Sequence, residues 1–408
     1  MTAGPRLALL TPAWPGHATP NGIATAVRNL AIGLKQTGQS PVIIAARIDG
    51  IGPEDIPVVE VPVLRMTVQD RIKRRFGRQD VLQPHFARQI ACAVSTAATR
   101  YGIKALLMEE TQGWAHLVEL QAGLPVIMVL HGPTALLNDH SQSHRSVEDI
   151  AREAREALAF ATATALIAPS RHVLEGVEAL VDLNNIPRIV LPNSFEPDDM
   201  LCAPRTLLLP DILFVGRFDA IKGGDVVLQA FDRLCKTHPG SRLTFLGPDR
   251  GVVRSDGSTL GFDAAFAALS PEAKAGLSYH GPADRSEVLA HRRTHGIALI
   301  GSRYETFGYV LIEAMAAGQA IVCTSVGGLA EILKDREAAL LIPPGHPDAM
   351  AQALARLLDD VDLRQRLATA AAGAVRADFD PAKVAAETVE FVAQVLRDRA
   401  AAHPSKTK

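Results

Sequence analysis

The residues with the clearest chemical potential are two basic side chains in one loop. Arg217 and Lys222 follow the apolar run Ile212–Val215, and Gly216 stands at the junction. Two cations at the carboxyl end of a buried strand suit a diphosphate, and they would stabilise the negative charge that a departing diphosphate gains. The plainer interpretation is a solvated loop with two ordinary basic residues, and the spacing alone does not decide between the two.

A second segment, Ser302–Glu313, follows the apolar run Ile297–Ile300. Glu305 precedes a predicted helix, where its carboxylate can accept hydrogen bonds from sugar hydroxyls. Glu313 lies one to two turns inside that helix, and its two oxygens can accept both hydroxyls of a ribose. The free N–H groups at the helix start can hold phosphate oxygens; they belong to Phe307, Gly308 and Tyr309. The alternatives are a helix N-terminal charge for Glu305 and a solvated face for Glu313.

The first half of the chain offers two weaker candidates. The segment Thr11–Ala26 is rich in proline and glycine, and a helix is predicted to open near Gly22. Backbone N–H groups there could receive a phosphate, and glycine permits close approach, although such junctions are common. His131 follows the apolar run Val126–Leu130 and precedes a glycine, so it could face a ligand or be purely structural.

Strands and helices must position these residues, and short apolar runs alternate with helix-length amphipathic stretches along the chain. We predict strands at Arg6–Leu10, Val42–Ala46, Ala105–Met108, Val126–Leu130, Ala165–Ala168, Ile189–Leu191, Ile212–Val215, Leu243–Leu246, Ile297–Ile300, Ala320–Cys323 and Ala339–Ile342. Such alternation favours an α/β fold with doubly wound parallel sheets and helices on both faces. Ligands of such sheets bind at the carboxyl ends of the strands.

The pattern breaks at Phe195–Pro210, which holds three prolines and which we interpret as a linker. We therefore predict two Rossmann-like domains, at residues 1–200 and 208–380. A further helix is predicted at 381–401, and it could pack back on the first domain.

Composition excludes several classes of protein. The 408 residues are 48% hydrophobic with a net charge of −2, so nothing indicates a nucleic-acid partner. The four cysteines are widely spaced, which argues against disulfides or a zinc site and fits a cytoplasmic location. No run of about 18 apolar residues occurs, and we predict neither a membrane span nor a signal peptide.

Together these segments resemble the retaining glycosyltransferases of family 4, which have the GT-B fold. Glu305 and Glu313 match the family's E-x7-E signature. Val215-Gly216-Arg217, followed by Lys222-Gly223, is similar to its V-G-R-L…K-G segment. Leu191-Pro192-Asn193 is similar to I-P-N-G-V, and Ser325–Leu333 to the G-G-x-x-E helix start. The resemblance covers nearly the whole chain, with each motif in order at a strand-to-helix edge.

The resemblance implies two domains that face each other across a cleft, the first for the acceptor and the second for a nucleotide-sugar donor. It implies catalytic roles for His131, Arg217, Lys222 and Glu305: His131 at the transferred sugar, the two cations at the diphosphate and Glu305 at sugar hydroxyls. The donor-binding residues would be Gly22, Gly216, Arg217, Lys222, Glu305, Phe307, Gly308, Tyr309 and Glu313. The family usually needs no metal and no D-x-D motif stands out here, so we expect neither a metal nor a cofactor.

A basic segment at residues 64–78 suggests a second kind of contact. Leu64, Val68, Ile72 and Phe76 recur every four residues beside six basic side chains. A helix here would carry a basic face and an apolar stripe, which suits the surface of an anionic membrane and would place the protein at its inner face. A solvated, mobile loop is the equal alternative.

Three functions are consistent with these observations. The leading hypothesis is transfer of a hexose from a UDP- or GDP-sugar to a lipid, glycan or small-molecule acceptor. A nucleotide-sugar epimerase or a phosphorylase of the same fold is a second interpretation. A third is a catalytically silent scaffold that binds a nucleotide sugar or a membrane.

Overall fold

The computed structural model describes residues 4–16, 21–52, 55–75, 82–141, 145–197, 209–254, 256–333 and 337–402. Contacts divide the chain into two compact units. Unit 1 takes its residues from 1–135, 145–196 and 379–408, and unit 2 from 136–144 and 197–378. Among the residues that are described, no helix is both long and apolar enough to cross a bilayer.

Unit 1 is a parallel sheet with helices on its faces. Its strands are β1 (Leu7–Thr11), β2 (Val42–Ala45), β3 (Val58–Glu60), β4 (Ala105–Glu109), β5 (Val126–Val129), β6 (Ala165–Ala168) and β7 (Arg188–Val190). Its helices are α1 (Gly22–Gln36), α2 (Val68–Arg75), α3 (Leu82–Tyr101), α4 (Trp114–Ala122), α6 (Val147–Thr162), α7 (Arg171–Leu180) and α16 (Pro381–Ala402); α5 (Thr134–Ser141) begins here and is counted with unit 2 from residue 136 onward.

The strand order of unit 1 is β3-β2-β1-β4-β5-β6-β7, and every pairing is parallel. Connections leave β1 toward one edge and later return to place β4 on its other side. This reversal is the switch point of a doubly wound sheet, where the loops after two neighbouring strands diverge and leave a crevice. In unit 1 it lies between β1 and β4, where Leu7 pairs with Ala105.

Unit 2 repeats this design. Its strands are β8 (Ile212–Val215), β9 (Phe218–Asp219), β10 (Leu243–Leu246), β11 (Asp249–Val253), β12 (Thr259–Leu260), β13 (Leu277–Gly281), β14 (Ile297–Ile300), β15 (Ala320–Thr324) and β16 (Leu340–Ile342). Its helices are α8 (Gly224–Thr237), α9 (Phe262–Ala267), α10 (Pro271–Gly276), α11 (Arg285–Thr294), α12 (Tyr309–Ala316), α13 (Gly327–Leu333), α14 (Pro347–Asp359) and α15 (Val361–Asp378).

The main sheet of unit 2 has the order β13-β10-β8-β14-β15-β16, again wholly parallel. Numbered within the unit this is 3-2-1-4-5-6, the order of a dinucleotide-binding sheet. Its switch point lies between β8 and β14, where Ile212 pairs with Ile297. A small sheet of β12, β11 and β9 stands beside the carboxyl end of β8.

Apolar runs form these strands because both faces of each sheet are covered by helices. All four residues of β2, β6 and β14 are buried. The last helix, α16, packs against α1 of unit 1, and its Val392 and Val395 join that unit's core. The predicted linker began too early, because Phe195 is 3% exposed and its backbone N donates to the carbonyl oxygen of Phe379. Residues 198–208 of that segment lie outside the described part of the chain.

Candidate functional site

One carboxylate, that of Asp219, organises the loop after β8, which carries Arg217 and Lys222. Asp219 accepts a hydrogen bond from Nε of Arg217 through Oδ2 (2.5 Å) and one from the backbone N of Lys222 through Oδ1 (2.7 Å). Its side chain is 13% exposed, whereas that of Arg217 is 43% exposed. Asp219 therefore fixes the path of the loop and leaves the guanidinium accessible. The sequence carried a signal for this role, since Asp219 lies two residues after Arg217.

The loop after β14 meets the loop after β8 at the switch point. Nζ of Lys222 donates to Oε2 of Glu305, so two predicted site residues 83 positions apart form an ion pair. Both side chains are largely buried, at 23% and 12% exposed. A carboxylate that can accept from hydroxyls and an ammonium that can donate to phosphate are therefore held side by side.

A second ion pair joins the same two loops. Arg303 donates to both oxygens of Asp225, at 2.8 and 2.7 Å, and to the carbonyl oxygen of Ala220 at 2.8 Å. Its backbone N also donates to the carbonyl oxygen of Ile221 (2.7 Å). A bidentate arginine fixes orientation as well as distance. Sequence reasoning missed this pair, because Arg303 and Asp225 become neighbours only when β8 and β14 pair.

Glycine is required where the loops come close to each other. Gly223 has φ +68°, and a Cβ there would lie 2.0 Å from the carbonyl oxygen of Gly301. Gly247, after β10, has φ +147°, and a Cβ there would lie 2.0 Å from the carbonyl oxygen of Gly216. Gly216 itself lies at the carboxyl end of β8, with its N bonded to the carbonyl oxygen of Leu246. The carboxyl edge of the sheet is therefore packed backbone to backbone.

Helix α12 begins at the switch point, as the predicted phosphate site requires. Gly308 is its N-cap at φ +100°, and a Cβ there would lie 2.4 Å from Cδ2 of Leu329. The ring of Phe307 is buried at 3% exposed and lies 5.3 Å from the ring of Tyr309. The contribution predicted for Phe307 is its backbone N–H group. Its buried side chain contributes to packing.

Glu313 does not lie on a solvated face. Its Oε2 accepts a hydrogen bond from Nη2 of Arg292 at 3.0 Å, and Arg292 is 1% exposed. Arg292 also donates to Oε1 of Gln319 and to the carbonyl oxygen of Val310, which holds α11 against α12. Burial lowers the pKa of Arg292, and the Glu313 carboxylate opposes that change. A carboxylate oxygen accepts two hydrogen bonds, so the predicted ribose contact is compatible with this pair.

The unit 1 candidates lie at the carboxyl edge of its own sheet. Gly22 is exposed and is the first residue of α1, and within the described part of the chain no heavy atom lies within 4 Å of the position of its Cβ. The side chain of Asn21 caps the helix by accepting from the N atoms of Ile23 and Ala24 (2.9 and 3.2 Å). Residues 17–20 of the predicted phosphate loop lie outside the described residues.

His131 is positioned by a buried glutamate. Glu110, 3% exposed, accepts from the backbone N of His131 (2.9 Å) and from that of Gly132 (2.5 Å). Burial raises the pKa of Glu110 to about 7, even though these hydrogen bonds favour its charged form. Burial also lowers the pKa of His131 to about 4. The imidazole is therefore neutral at pH 7, able to accept or donate a hydrogen bond.

A pocket beside His131 contains a carboxylate that sequence reasoning did not select. Glu109, the last residue of β4, lines this pocket with His131, and the other walls come from α1, α16 and the strand end at Asn193. Glu109 is 8% exposed, and its Oε2 has no hydrogen-bond partner among the residues that the structure describes. Burial, followed by the nearby Glu110, raises its pKa to about 7. Two adjacent glutamates at the end of a predicted strand were the available signal.

The histidine pair His140 and His144, one helical turn apart, is a weak metal candidate in the sequence. The ring of His140 instead stacks on that of Tyr304, with centroids 4.5 Å apart, and its Nδ1 lies 2.9 Å from the carbonyl oxygen of Leu136. His144 lies outside the described residues.

Sequence models of two glycosyltransferase families match the chain. The model for "Glycosyl transferases group 1" matches residues 209–373, which hold the two loops of unit 2. The model for "Glycosyl transferase 4-like domain" matches residues 21–194, which hold Gly22 and His131. The first curated relatives, 32% identical, are covered over only 45% and 41% of their own length.

Comparisons with individual proteins are consistent with these two family matches. A D-inositol 3-phosphate glycosyltransferase of Thermobispora bispora is 30% identical over 304 residues, 70% of this chain and 68% of that protein. The sucrose-phosphate synthase structure from Thermosynechococcus elongatus superimposes with a TM-score of 0.70 at 20% identity, covering 97% of this chain and all of that one. Anabaena HepE in complex with UDP-glucose gives 0.66 at 14% identity, over 96% of this chain and 100% of that one.

The two doubly wound units have the GT-B fold, as the sequence predicted. The chain belongs to the family-4-type glycosyltransferases.

Proposed function

We propose that the protein is a retaining hexosyltransferase that uses a nucleoside diphosphate sugar, UDP- or GDP-linked, as donor. The observation that carries the proposal is the ion pair between Lys222 and Glu305 at the switch point of unit 2. It joins a group suited to phosphate with a group suited to sugar hydroxyls, at the edge where doubly wound sheets bind nucleotides.

The proposed roles follow from the geometry of the loops. Arg217 and Lys222 neutralise the diphosphate as the bond between sugar C1 and the β-phosphate oxygen breaks, and Asp219 keeps both in place. Backbone N–H groups at the start of α12 hold phosphate oxygens. Glu305 accepts from sugar hydroxyls, and Glu313 accepts from the ribose.

Transfer then needs an acceptor hydroxyl. Its oxygen bonds to C1 on the face that the diphosphate leaves, and its proton passes to the departing diphosphate oxygen, which gives retention of configuration. We assign acceptor binding to unit 1, and a hydroxyl of the transferred sugar to neutral His131 of that unit. The buried Glu109 and Glu110 lie beside His131. A lipid, glycan or small polyol would supply the hydroxyl.

We propose that this transfer needs no metal ion. The charge of the diphosphate would be met by Arg217, Lys222 and the α12 amides instead. The relatives named for D-inositol 3-phosphate and the fold neighbour that holds UDP-glucose make UDP-glucose and D-inositol 3-phosphate the first donor and acceptor to test.

Calorimetric titration with UDP, GDP and ADP in EDTA tests the donor site. We expect one nucleotide to bind, and Glu313→Gln to weaken it. Glu272→Gln, an exposed carboxylate of unit 2, is the matched control and should bind as the wild type does.

Turnover is the second test. Glu305→Gln and Lys222→Ala should each lower kcat by about a hundredfold or more while circular dichroism stays unchanged. Full activity in both variants would overturn the proposed site. Nucleotide binding without turnover on a broad acceptor panel would favour the silent-scaffold alternative, and epimerised donor in the absence of acceptor would favour an epimerase.

We infer a membrane contact for the segment 64–78 as a separate proposal. Residues 68–75 form α2, whose Val68 and Ile72 are 62% and 51% exposed and stand one turn apart, with Arg71 and Arg75 also exposed. Residues 76–78 lie outside the described part of the chain. The cytoplasmic location inferred from the sequence stays a prediction.

Vesicle sedimentation tests this contact. The protein should sediment with phosphatidylserine vesicles more than with phosphatidylcholine vesicles, and Ile72→Glu should reduce the bound fraction. Leu120→Glu, which changes an exposed leucine of α4 that is 67% exposed, is the control. Equal sedimentation of Ile72→Glu and the wild type would exclude a role for α2.

A further inference from the structure

Three possible metal ligands converge at the edge of unit 2. His280 lies next to the last residue of β13, and α11 begins four residues after that strand ends. Glu287 and His291 stand one turn apart on α11, so their side chains share a face. The ligand atoms of these three residues all lie within 4.8 Å of one another.

The three side chains lie close to one another without a strong hydrogen bond between His280 and Glu287. Nδ1 of His280 lies 3.7 Å from Oε1 of Glu287, which is beyond a good hydrogen bond. The rings of His280 and His291 have centroids 5.0 Å apart and an interplanar angle of 74°, so they meet edge to face.

Neighbouring side chains fix the backbone of α11 around the two helical residues. The backbone N of Glu287 donates to Oδ1 of Asp284, the N-cap of α11, at 2.9 Å. His295 follows one turn after His291, and its own nitrogens lie 2.8 Å from the carbonyl oxygen of His291 and 2.8 Å from Oγ1 of Thr244. His295 is thereby committed to the fold and supports the end of α11, and it is not counted among the ligands.

We propose that His280, Glu287 and His291 form a binding site for a divalent transition metal, best satisfied by zinc. Two imidazoles and one carboxylate are borderline ligands that suit Zn²⁺, whereas Mg²⁺ and Ca²⁺ prefer oxygen alone. Ligand bonds of about 2.0–2.2 Å require the three groups to close by roughly 1 Å, which side-chain rotation supplies. A water molecule would complete the tetrahedron.

The site is separate from the loops that carry the proposed transfer and does not rest on that function. It would join α11 to β13, the edge strand of the main sheet. Gly281, next to His280, accepts a hydrogen bond from the backbone N of Gly247 at 2.7 Å. Metal bound only to the folded state would therefore stabilise this edge of unit 2 by mass action.

Calorimetric titration of the EDTA-treated, dialysed full chain with ZnCl2 tests the proposal. We expect one site in the wild type and at least about tenfold weaker binding in His280→Ala, Glu287→Gln and His291→Ala. His238→Ala is the matched control, because His238 lies 3.1 Å from the carboxylate of Asp359 and belongs to no group of three possible metal ligands among the described residues. It should bind zinc as the wild type does.

Cobalt(II) gives a second readout that needs no variant. Tetrahedral coordination by imidazole and carboxylate should produce visible absorption on adding CoCl2, and ZnCl2 should remove it. An absence of zinc binding in the wild type, magnesium binding of equal strength, or undiminished zinc binding in His291→Ala would each overturn the proposal.

Discussion

At the scale of single residues, Asp219 sets the positions of Arg217 and Lys222. It binds both Arg217 and the backbone of Lys222, so its removal should loosen the proposed diphosphate site without deleting either charge. We expect Asp219→Asn to lower kcat about tenfold or more, because misplaced cations stabilise the leaving diphosphate less well. Steady-state kinetics with the donor identified by calorimetry would measure this effect.

The control for Asp219 is another loop carboxylate of unit 2. Asp256 accepts from the backbone N of Ser258 at 2.8 Å in a surface turn. Asp256→Asn should leave kcat unchanged. Equal losses in the two variants would show that the effect is general to loop carboxylates and would remove the special role of Asp219.

Glu109 should make stability depend on pH. Its pKa rises from 4.5 to about 7 on folding. Between these values the unfolded chain has released the proton and the folded protein retains it, so stability falls as pH rises, and the full penalty remains above pH 7. Glu109→Gln removes this loss, and its stability relative to the wild type should rise by about 2–3 kcal/mol from about pH 5 to about pH 8.

Urea unfolding across that pH range measures the difference. His131 acts with the opposite sign: its pKa falls from 6.5 to about 4, so its contribution to stability grows with pH over that interval. It is present in both proteins and cancels in the comparison. Glu175→Gln, an exposed change in unit 1, should show a difference that does not vary with pH. A flat difference for Glu109→Gln would contradict the prediction.

At the scale of elements, the loop before α8 depends on one close approach. Gly223 and Gly240 both have positive φ, at +68° and +88°, but only Gly223 faces a backbone oxygen at 2.0 Å. Gly223→Ala should therefore lose about 1–3 kcal/mol more stability than Gly240→Ala, which suffers the backbone strain alone. Thermal unfolding of both variants measures this, and equal losses would show that the loop relaxes freely.

The strands that could be predicted from the sequence are those buried on both faces. Ile212–Val215, Leu243–Leu246 and Ile297–Ile300 were predicted with their observed bounds, since a continuous apolar run is all that such a strand needs. β13 was missed, because it is an edge strand whose middle residues, Ser278 to His280, are exposed and polar. β9, β11 and β12 were missed as well, because they pair with one another in the small sheet and carry no continuous apolar run.

The candidate site shows the same distinction between residues that a local pattern indicates and residues that only the fold brings together. Arg217, Lys222 and Glu305 could be selected because charge after a buried strand is a local signal. Their partners could not, because the Arg303–Asp225 and Arg292–Glu313 pairs join segments that are 78 and 21 residues apart. The roles of all these residues in binding and catalysis stay predictions until they are measured.

At the scale of the whole molecule, α16 completes unit 1 by packing on α1. A Cβ on Gly33 of α1 would lie 2.0 Å from the carbonyl oxygen of Pro381, the first residue of α16. Gly33→Ala should destabilise the protein by about 1–3 kcal/mol, despite the better helix propensity of alanine. Gly373, in helix α15, has no heavy atom of the described residues within 4 Å of its Cβ position. Gly373→Ala should instead stabilise by up to about 1 kcal/mol.

Calorimetry compares these two helical substitutions directly. Opposite signs are expected. A gain in both would mean that α16 moves aside easily, so that its packing on α1 contributes little to unit 1.

The path of the chain through the two units has a consequence for biosynthesis. The bulk of unit 2, residues 197–378, lies between β7 and α16 of unit 1 in the sequence. When a ribosome has translated residue 378, every segment of unit 2 has been synthesised. The apolar side of α1 is still uncovered at that point, because α16 has not yet been made. We therefore expect unit 2 to mature first, and the nascent unit 1 to be the half that presents hydrophobic surface to chaperones until translation ends.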